Sequence, residues 1–309
     1  MKPLSSSLPT ISRIPGAPSG ESPSYGKTQP IGSGSSIGAI LVDSGRLSAE
    51  NAERISRLQK DQGKSFGDTA LELGLLTADD IRFALSRQFD SFYLPASDSS
   101  LSHQLVAAYE PFSAVVEKLR TLRSQLMLRW FNAETHCNAL AVMSPSANEG
   151  RSFIAANLAI VFAQLGERTL LLDADLRKPR QHQLFKLGNS LGLSSILAAR
   201  IGTEAIVRMS ALPGLHVLPA GAIPPNPQEL IGRVGFAQLL RSLVRDYDVV
   251  IIDTPAASEY TEAQMIAAGA SGALIVARRN YSSMIEMSRL VQSLQQTHAA
   301  LVGSVLNEF

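Results

Sequence analysis

From residue 111 to 309 short, almost uninterrupted apolar runs alternate with amphipathic stretches. Residues 139–143, 169–172, 215–218, 249–252, 273–277 and 301–306 have the length and apolar continuity of strands buried on both faces. Between them, 153–165 (ended by Gly166) and 236–244 read as helices. Strands of this kind separated by helices predict an α/β fold with a doubly wound, mostly parallel sheet. In such a sheet ligands bind beyond the carboxyl ends of the strands, so chemistry is to be sought there.

The pattern ahead of this region is different. Gly38, Gly45, Leu47, Ser48 and Gln59 recur 29 residues later as Gly67, Gly74, Leu76, Thr77 and Gln88. Each unit reads as a short helix ending at a glycine and a second helix capped by Ser48 or Thr77. Acidic residues follow each cap (Glu50; Asp79 and Asp80), where the helix dipole favours them. Ile55, Leu58, Ile81 and Leu85 give the longer helices an apolar stripe. Residues 1–36 hold Ser, Pro or Gly at 21 positions, too little apolar surface to offset ordering, and are expected to form a disordered tail. The expected organisation is a tail (1–36), a small all-α module (37–97), a polar linker (98–110) and the α/β domain (111–309).

Composition narrows the classes. A formal net charge of +1 gives no global field for wrapping nucleic acid, so no nucleic-acid partner is expected. The single cysteine, Cys137, excludes an intramolecular disulfide framework. No run reaches the roughly 18 apolar residues of a membrane span. The first residues lack the apolar core of a secretory leader. A cytoplasmic protein is the expectation.

The candidate chemistry lies at three strand ends. After the first strand comes Ser144-Pro-Ser-Ala-Asn-Glu-Gly150-Arg151-Ser152, then a helix. A tight strand-to-helix loop turns backbone N–H groups inward, and the helix terminus adds partial positive charge, which suits phosphate. Ser152 stands where a P-loop serine or threonine meets Mg²⁺, while Arg151 replaces the usual lysine. The second strand ends in Asp173-Ala-Asp175-Leu-Arg177 and the fourth long run in Asp253-Thr-Pro255. Aspartates at the ends of apolar strands require a cation, a hydrogen-bonding partner or a proton to take.

These residues resemble the bacterial tyrosine kinases, the P-loop family that phosphorylates tyrosine without a eukaryotic kinase fold. The loop from Ala141 to Ser152 matches that family's pattern except at Arg151. The run from Leu170 to Arg177 meets its apolar D-x-D-x-R motif, and Val250 to Pro255 its apolar D-x-P motif. Glu117, Arg120 and Arg123 fit its E-x2-R-x2-R assembly helix. Gly221 to Leu230 fits its G-x-x-P-P-N-P-x-E-L segment, and Val302 to Asn307 its closing strand. Leu122 to Trp130 is similar to the EpsG-type kinases that accompany exopolysaccharide chain-length determinants. The 37–97 repeat resembles the N-terminal module of type II secretion and type IV pilus assembly ATPases, with Ser36 and Ser65 where that module leads with arginine.

The resemblance implies an ATP-dependent, non-specific protein-tyrosine kinase that autophosphorylates and regulates exopolysaccharide chain length or export. ATP phosphates would lie on Ser146, Ala147, Asn148, Glu149, Gly150, Arg151 and Ser152, and Mg²⁺ on Ser152 and Asp253. Asp173, Asp175 and Arg151 would be catalytic, and Asn307 would contact adenine. Glu117, Arg120 and Arg123 would build a homo-oligomeric ring. An inner-membrane chain-length determinant would be the partner and would recruit the chain to that membrane, and cyclic di-GMP a ligand of the N-terminal module. The family usually carries an acceptor tyrosine cluster after its closing strand; this sequence has six tyrosines, Tyr25, Tyr93, Tyr109, Tyr247, Tyr260 and Tyr281, and none follows Asn307. Two other readings stand beside it. One is a ParA/MinD-like ATPase switch, disfavoured because 144–149 lacks an early lysine. The other is a catalytically weak or inactive P-loop ATPase or adaptor of the polysaccharide export machinery.

Overall fold

The structure, a computed structural model, describes residues 36–88, 93–132 and 137–308. The expected tail therefore lies outside the described residues except for Ser36, whose hydroxyl accepts Ala39 N–H and caps the first helix.

Seven strands form one sheet: β1 (Ala139–Met143), β2 (Thr169–Asp173), β3 (Val207–Arg208), β4 (Leu215–Leu218), β5 (Val249–Asp253), β6 (Gly272–Arg278) and β7 (Ala300–Asn307). Their order is β3-β4-β2-β5-β1-β6-β7, every pairing parallel except β3 with β4. The mostly parallel, doubly wound α/β architecture is thus observed. Strand side chains alternate between two cores, as a period of two requires. Leu140, Val142, Leu171, Val249, Ile251, Leu274 and Val276 face one core, under helices Ala114–Arg129 and Arg151–Ala163. Ala141, Met143, Leu170, Leu172, Val250, Ile252 and Ile275 face the other, under helices Val234–Asp246, Glu262–Ala270 and Met284–Gln296. Each fully buried leucine or isoleucine contributes about 1.5–3 kcal/mol. Burial on both faces is why these strands read as continuous apolar runs.

Two contacts tie the amino-terminal ends of the inner strands. Trp130 donates its indole N–H to the Ala139 carbonyl at 2.8 Å, and its ring covers Gly272 so closely that a Cβ there would lie 2.3 Å from it. At the same, amino-terminal end of the central strands Arg168 and Asp248, preceding β2 and β5, form a two-pronged pair at 2.6 and 3.0 Å.

The repeat region folds as four helices, Ile37–Asp43, Ala49–Gln62, Phe66–Glu72 and Ala78–Gln88, around its own core of Leu41, Leu47, Ile55, Ala70, Leu76 and Ala84. Ser48 caps its helix through Asn51 N–H, and Thr77 and Asp80 form a reciprocal capping box. Ser65 caps the third helix through Asp68 N–H, as Ser36 caps the first. Both leading serines therefore serve as N-caps.

The segment expected to be a linker is built into the α/β body instead. Leu101, Leu105, Ala107, Ala108 and Tyr109 are buried in the first core, and Val106–Tyr109 is a short helix. Asn157 holds it by accepting Ala107 N–H at 2.9 Å. Its polar composition hid these evenly spread anchors.

Candidate nucleotide site

The loop after β1 opens directly into helix Arg151–Ala163, which starts two residues before the expected position. Its N-cap, Gly150, has φ 90° and offers no side-chain cap, and Asn148 has φ 61°. A Cβ is strained at such a φ, so the glycine lets the backbone turn sharply while leaving the helix N–H groups for an anion. Glu149, buried, accepts Ser146 N–H at 2.8 Å and the Ser282 hydroxyl, stiffening the loop from within. Ser146 donates its hydroxyl to Glu286 at 2.6 Å, Arg278 donates to the Asn148 carbonyl at 3.3 Å and Asn307 to the Glu149 carbonyl at 3.2 Å. Asn307, the expected adenine contact, thus braces the loop here.

Arg151 turns inward. Its guanidinium donates to Ser144 Oγ at 2.8 Å, Asp175 Oδ2 at 3.1 Å and Asp253 Oδ1 at 3.3 Å, with Arg151 only 8% exposed. The Ser152 side chain favours the charged form of Asp253, and Gln181 Nε2 donates to Asp253 Oδ2 at 2.8 Å and to the Ser152 carbonyl at 3.1 Å. Burial pushes the Asp253 carboxyl above the usual range, with Arg151 opposing and Asp175 reinforcing the rise.

The three aspartates are not equivalent. Asp175 accepts Arg177 and Lys178 N–H groups on one oxygen and Arg151 on the other. Asp173 accepts the N–H groups of Asp175, Arg180 and Gln181, so its oxygens shape the turn after β2. Full burial, and then the nearby Asp253, push the Asp173 carboxyl well up. Among the described residues no three acidic, histidine or cysteine side chains gather as a ready metal cage. Mg²⁺ needs no such cage, since it uses one or two carboxylates plus substrate phosphates. Oxygen donors Ser152 and Asp253, side by side at an uncapped helix N-terminus, fit a magnesium–nucleotide.

The expected assembly residues lie on helix Ala114–Arg129. Arg120 pairs with Glu117 at 2.9 Å on the same helix. Arg123 donates to the Val161 carbonyl at 2.8 Å, near the end of the helix that leaves the phosphate loop. Burial, then Arg120, hold its guanidinium below the usual range. Gln181, Ser282 and Glu286 were not anticipated; nothing in their spacing marks them, and only the folded topology brings them to the loop.

Fold and loop together define a P-loop NTPase-like α/β protein. Residues 141–305 match the AAA_31 family, described as an AAA domain. The chain is 34% identical over 209 residues to the tyrosine-protein kinase YwqD of Bacillus subtilis (strain 168), covering 68% of this chain and 87% of that protein. Among solved structures, the chimerical protein CapA2B2 superposes with a TM-score of 0.63 at 34% identity, covering 72% of this chain and 96% of that one. The kinase domain of Escherichia coli tyrosine kinase ETK gives 0.63 at 31% identity, covering 71% and 81%. The chain belongs to the bacterial P-loop tyrosine kinase family.

Proposed function

We propose that this chain is an ATP-dependent, autophosphorylating protein-tyrosine kinase that regulates exopolysaccharide chain length and export together with an inner-membrane chain-length determinant. The observation that carries the reading is the convergence of Ser152, Asp175 and Asp253 on the uncapped N-terminus of helix Arg151–Ala163. Backbone N–H groups from 146 to 152 bind the ATP phosphates, and Ser152 and Asp253 hold Mg²⁺. A magnesium ion bound there neutralises phosphate charge. Asp175 is the carboxylate available to take the tyrosine proton, and Asp173 acts by fixing the turn that carries Asp175. Arg151 must leave the carboxylates and turn to the phosphates for this chemistry to run.

Glu117, Arg120 and Arg123 are proposed to contribute to a homo-oligomeric ring. The chain is proposed to be cytoplasmic and recruited to the inner membrane by its partner; no helix among the described residues is long and apolar enough to cross a membrane. Cyclic di-GMP is proposed as a ligand of the helical module, where a groove of about 610 Å³ is lined by Ser36, Arg57, Lys60 and Phe66.

A second reading, a catalytically weak adaptor of the export machinery, is favoured by the ion pairs that hold Arg151 in the metal site. Incubation of the full chain with ATP–Mg²⁺ and the partner's cytoplasmic segment, followed by phosphotyrosine detection, separates the two. Phosphotyrosine supports the kinase; its absence, with nucleotide still bound, supports the adaptor.

A further inference from the structure

Tyrosines differ sharply in access. Tyr109 is buried, with its hydroxyl donated to the Leu101 carbonyl at 3.0 Å. Tyr247 is half-buried against His216, and Tyr260 lies half-buried under the Arg177 guanidinium at 4.3 Å. Tyr93 is half-buried. Tyr281 is 51% exposed and is the exposed tyrosine among the described residues.

Its position adds to this. Tyr281 lies in the turn after β6, between two residues that touch the phosphate loop. Ser282 donates to Glu149, and Arg278 donates to the Asn148 carbonyl. The Tyr281 ring lies against Arg278, whose guanidinium carbon is 5.1 Å from the ring centroid, while Arg279 pairs with Glu308 at 2.9 Å. A phosphate on this phenol would bring a charge of about −1.5 to −2 and strong acceptor oxygens next to the Arg278 guanidinium. Access of the hydroxyl and a cation for the product coincide here.

We infer that Tyr281 is the phosphoacceptor tyrosine of this chain. The inference rests on the kinase reading above. The phenol oxygen bonds to the γ-phosphorus of ATP, the bond from that phosphorus to the β,γ-bridging oxygen breaks, and ADP departs. The phenol proton passes to a carboxylate or to water. Phosphorylated Tyr281 then draws Arg278 from Asn148, loosening one brace of the loop.

The test is to incubate the full chain with ATP–Mg²⁺ and the partner's cytoplasmic segment and map phosphotyrosine by peptide mass spectrometry, beside Tyr281→Phe. That substitution keeps the ring and touches none of the nucleotide residues, so an unchanged melting temperature controls for folding. Phosphate on Tyr281 in the native chain, and loss of most phosphotyrosine from Tyr281→Phe, is the expected result. Phosphotyrosine at Tyr25 or another position, with Tyr281→Phe labelled like the native chain, overturns the acceptor assignment and leaves the kinase reading intact. Absence of phosphotyrosine from the native chain overturns both.

Discussion

Arg151 Nε lies 3.3 Å from Asp253 Oδ1, so the arginine at the start of the helix after β1 is bonded to the carboxylate proposed to hold Mg²⁺. The pair is buried, with the Arg151 side chain 9% exposed and that of Asp253 fully enclosed. In such surroundings each partner compensates for the other's lost hydration. A magnesium–nucleotide bound as proposed would therefore compete with an internal ion pair.

Arg151→Lys removes the three-way grip of the guanidinium on Ser144, Asp175 and Asp253. The expected outcome is tighter Mg²⁺–ATP binding, by about tenfold for the loss of one charge-assisted bond of competition. Isothermal titration on both proteins reads this directly. Arg151→Ala instead leaves buried carboxylates without a counter-charge and should cost on the order of 3 kcal/mol in denaturant unfolding.

Gln181 has no exposed surface and joins the turn after β2 to Asp253 and to the Ser152 carbonyl. Gln181→Ala should lower stability by about 1–3 kcal/mol, because it leaves Asp253 Oδ2 without this donor. It should also raise the Mg²⁺ concentration that half-saturates nucleotide binding, since Asp253 loses its orientation. Denaturant unfolding and a Mg²⁺ titration of nucleotide binding measure the two effects.

The Arg168–Asp248 pair makes a pH prediction. Hydrogen bonding from the Arg168 side chain holds the Asp248 carboxyl below its ordinary range. A carboxyl depressed in the folded chain adds stability above the unfolded pKa, about 3.9, and loses it as pH falls through the lower folded value. Both side chains are partly exposed, so screening limits the contribution to about 0.5–1 kcal/mol. Asp248→Asn should be less stable than the native chain by that amount at pH 7, and the gap should close below about pH 4. Urea unfolding at the two pH values tests it.

In the helical module, Ile55 is fully buried at the centre of the separate small core. Ile55→Ala should cost about 2–5 kcal/mol of that module's stability. Loss of helical circular dichroism at lower denaturant concentration is the expected signal.

The parts legible in sequence were those where one local force dominates. Strands β1, β2 and β5 are apolar at nearly every position because both faces are covered; β2 and β5 end on aspartates that enter the site, and Ser144 directly follows β1. The repeat revealed its helices through caps such as Ser48 and Thr77, whose chemistry is local. Strand β3, two residues at the sheet edge, is too short to carry a period. Helix Val106–Tyr109 is anchored by Asn157, 50 residues away, so its sequence looks like a linker. Arg151 was identifiable as a departure from the lysine pattern, but its direction follows from where β2 and β5 deliver Asp175 and Asp253. Long-range placement of polar side chains is what a one-dimensional pattern does not encode.

The loop from Ser144 to Ser152 is proposed to bind a magnesium–triphosphate although an arginine replaces its lysine. Thermal unfolding of the native chain and of Arg151→Lys with millimolar ATP, with and without Mg²⁺, tests it most directly. A Mg²⁺-dependent rise in melting temperature in both proteins, larger in Arg151→Lys, is the predicted result; no rise in either protein would contradict it.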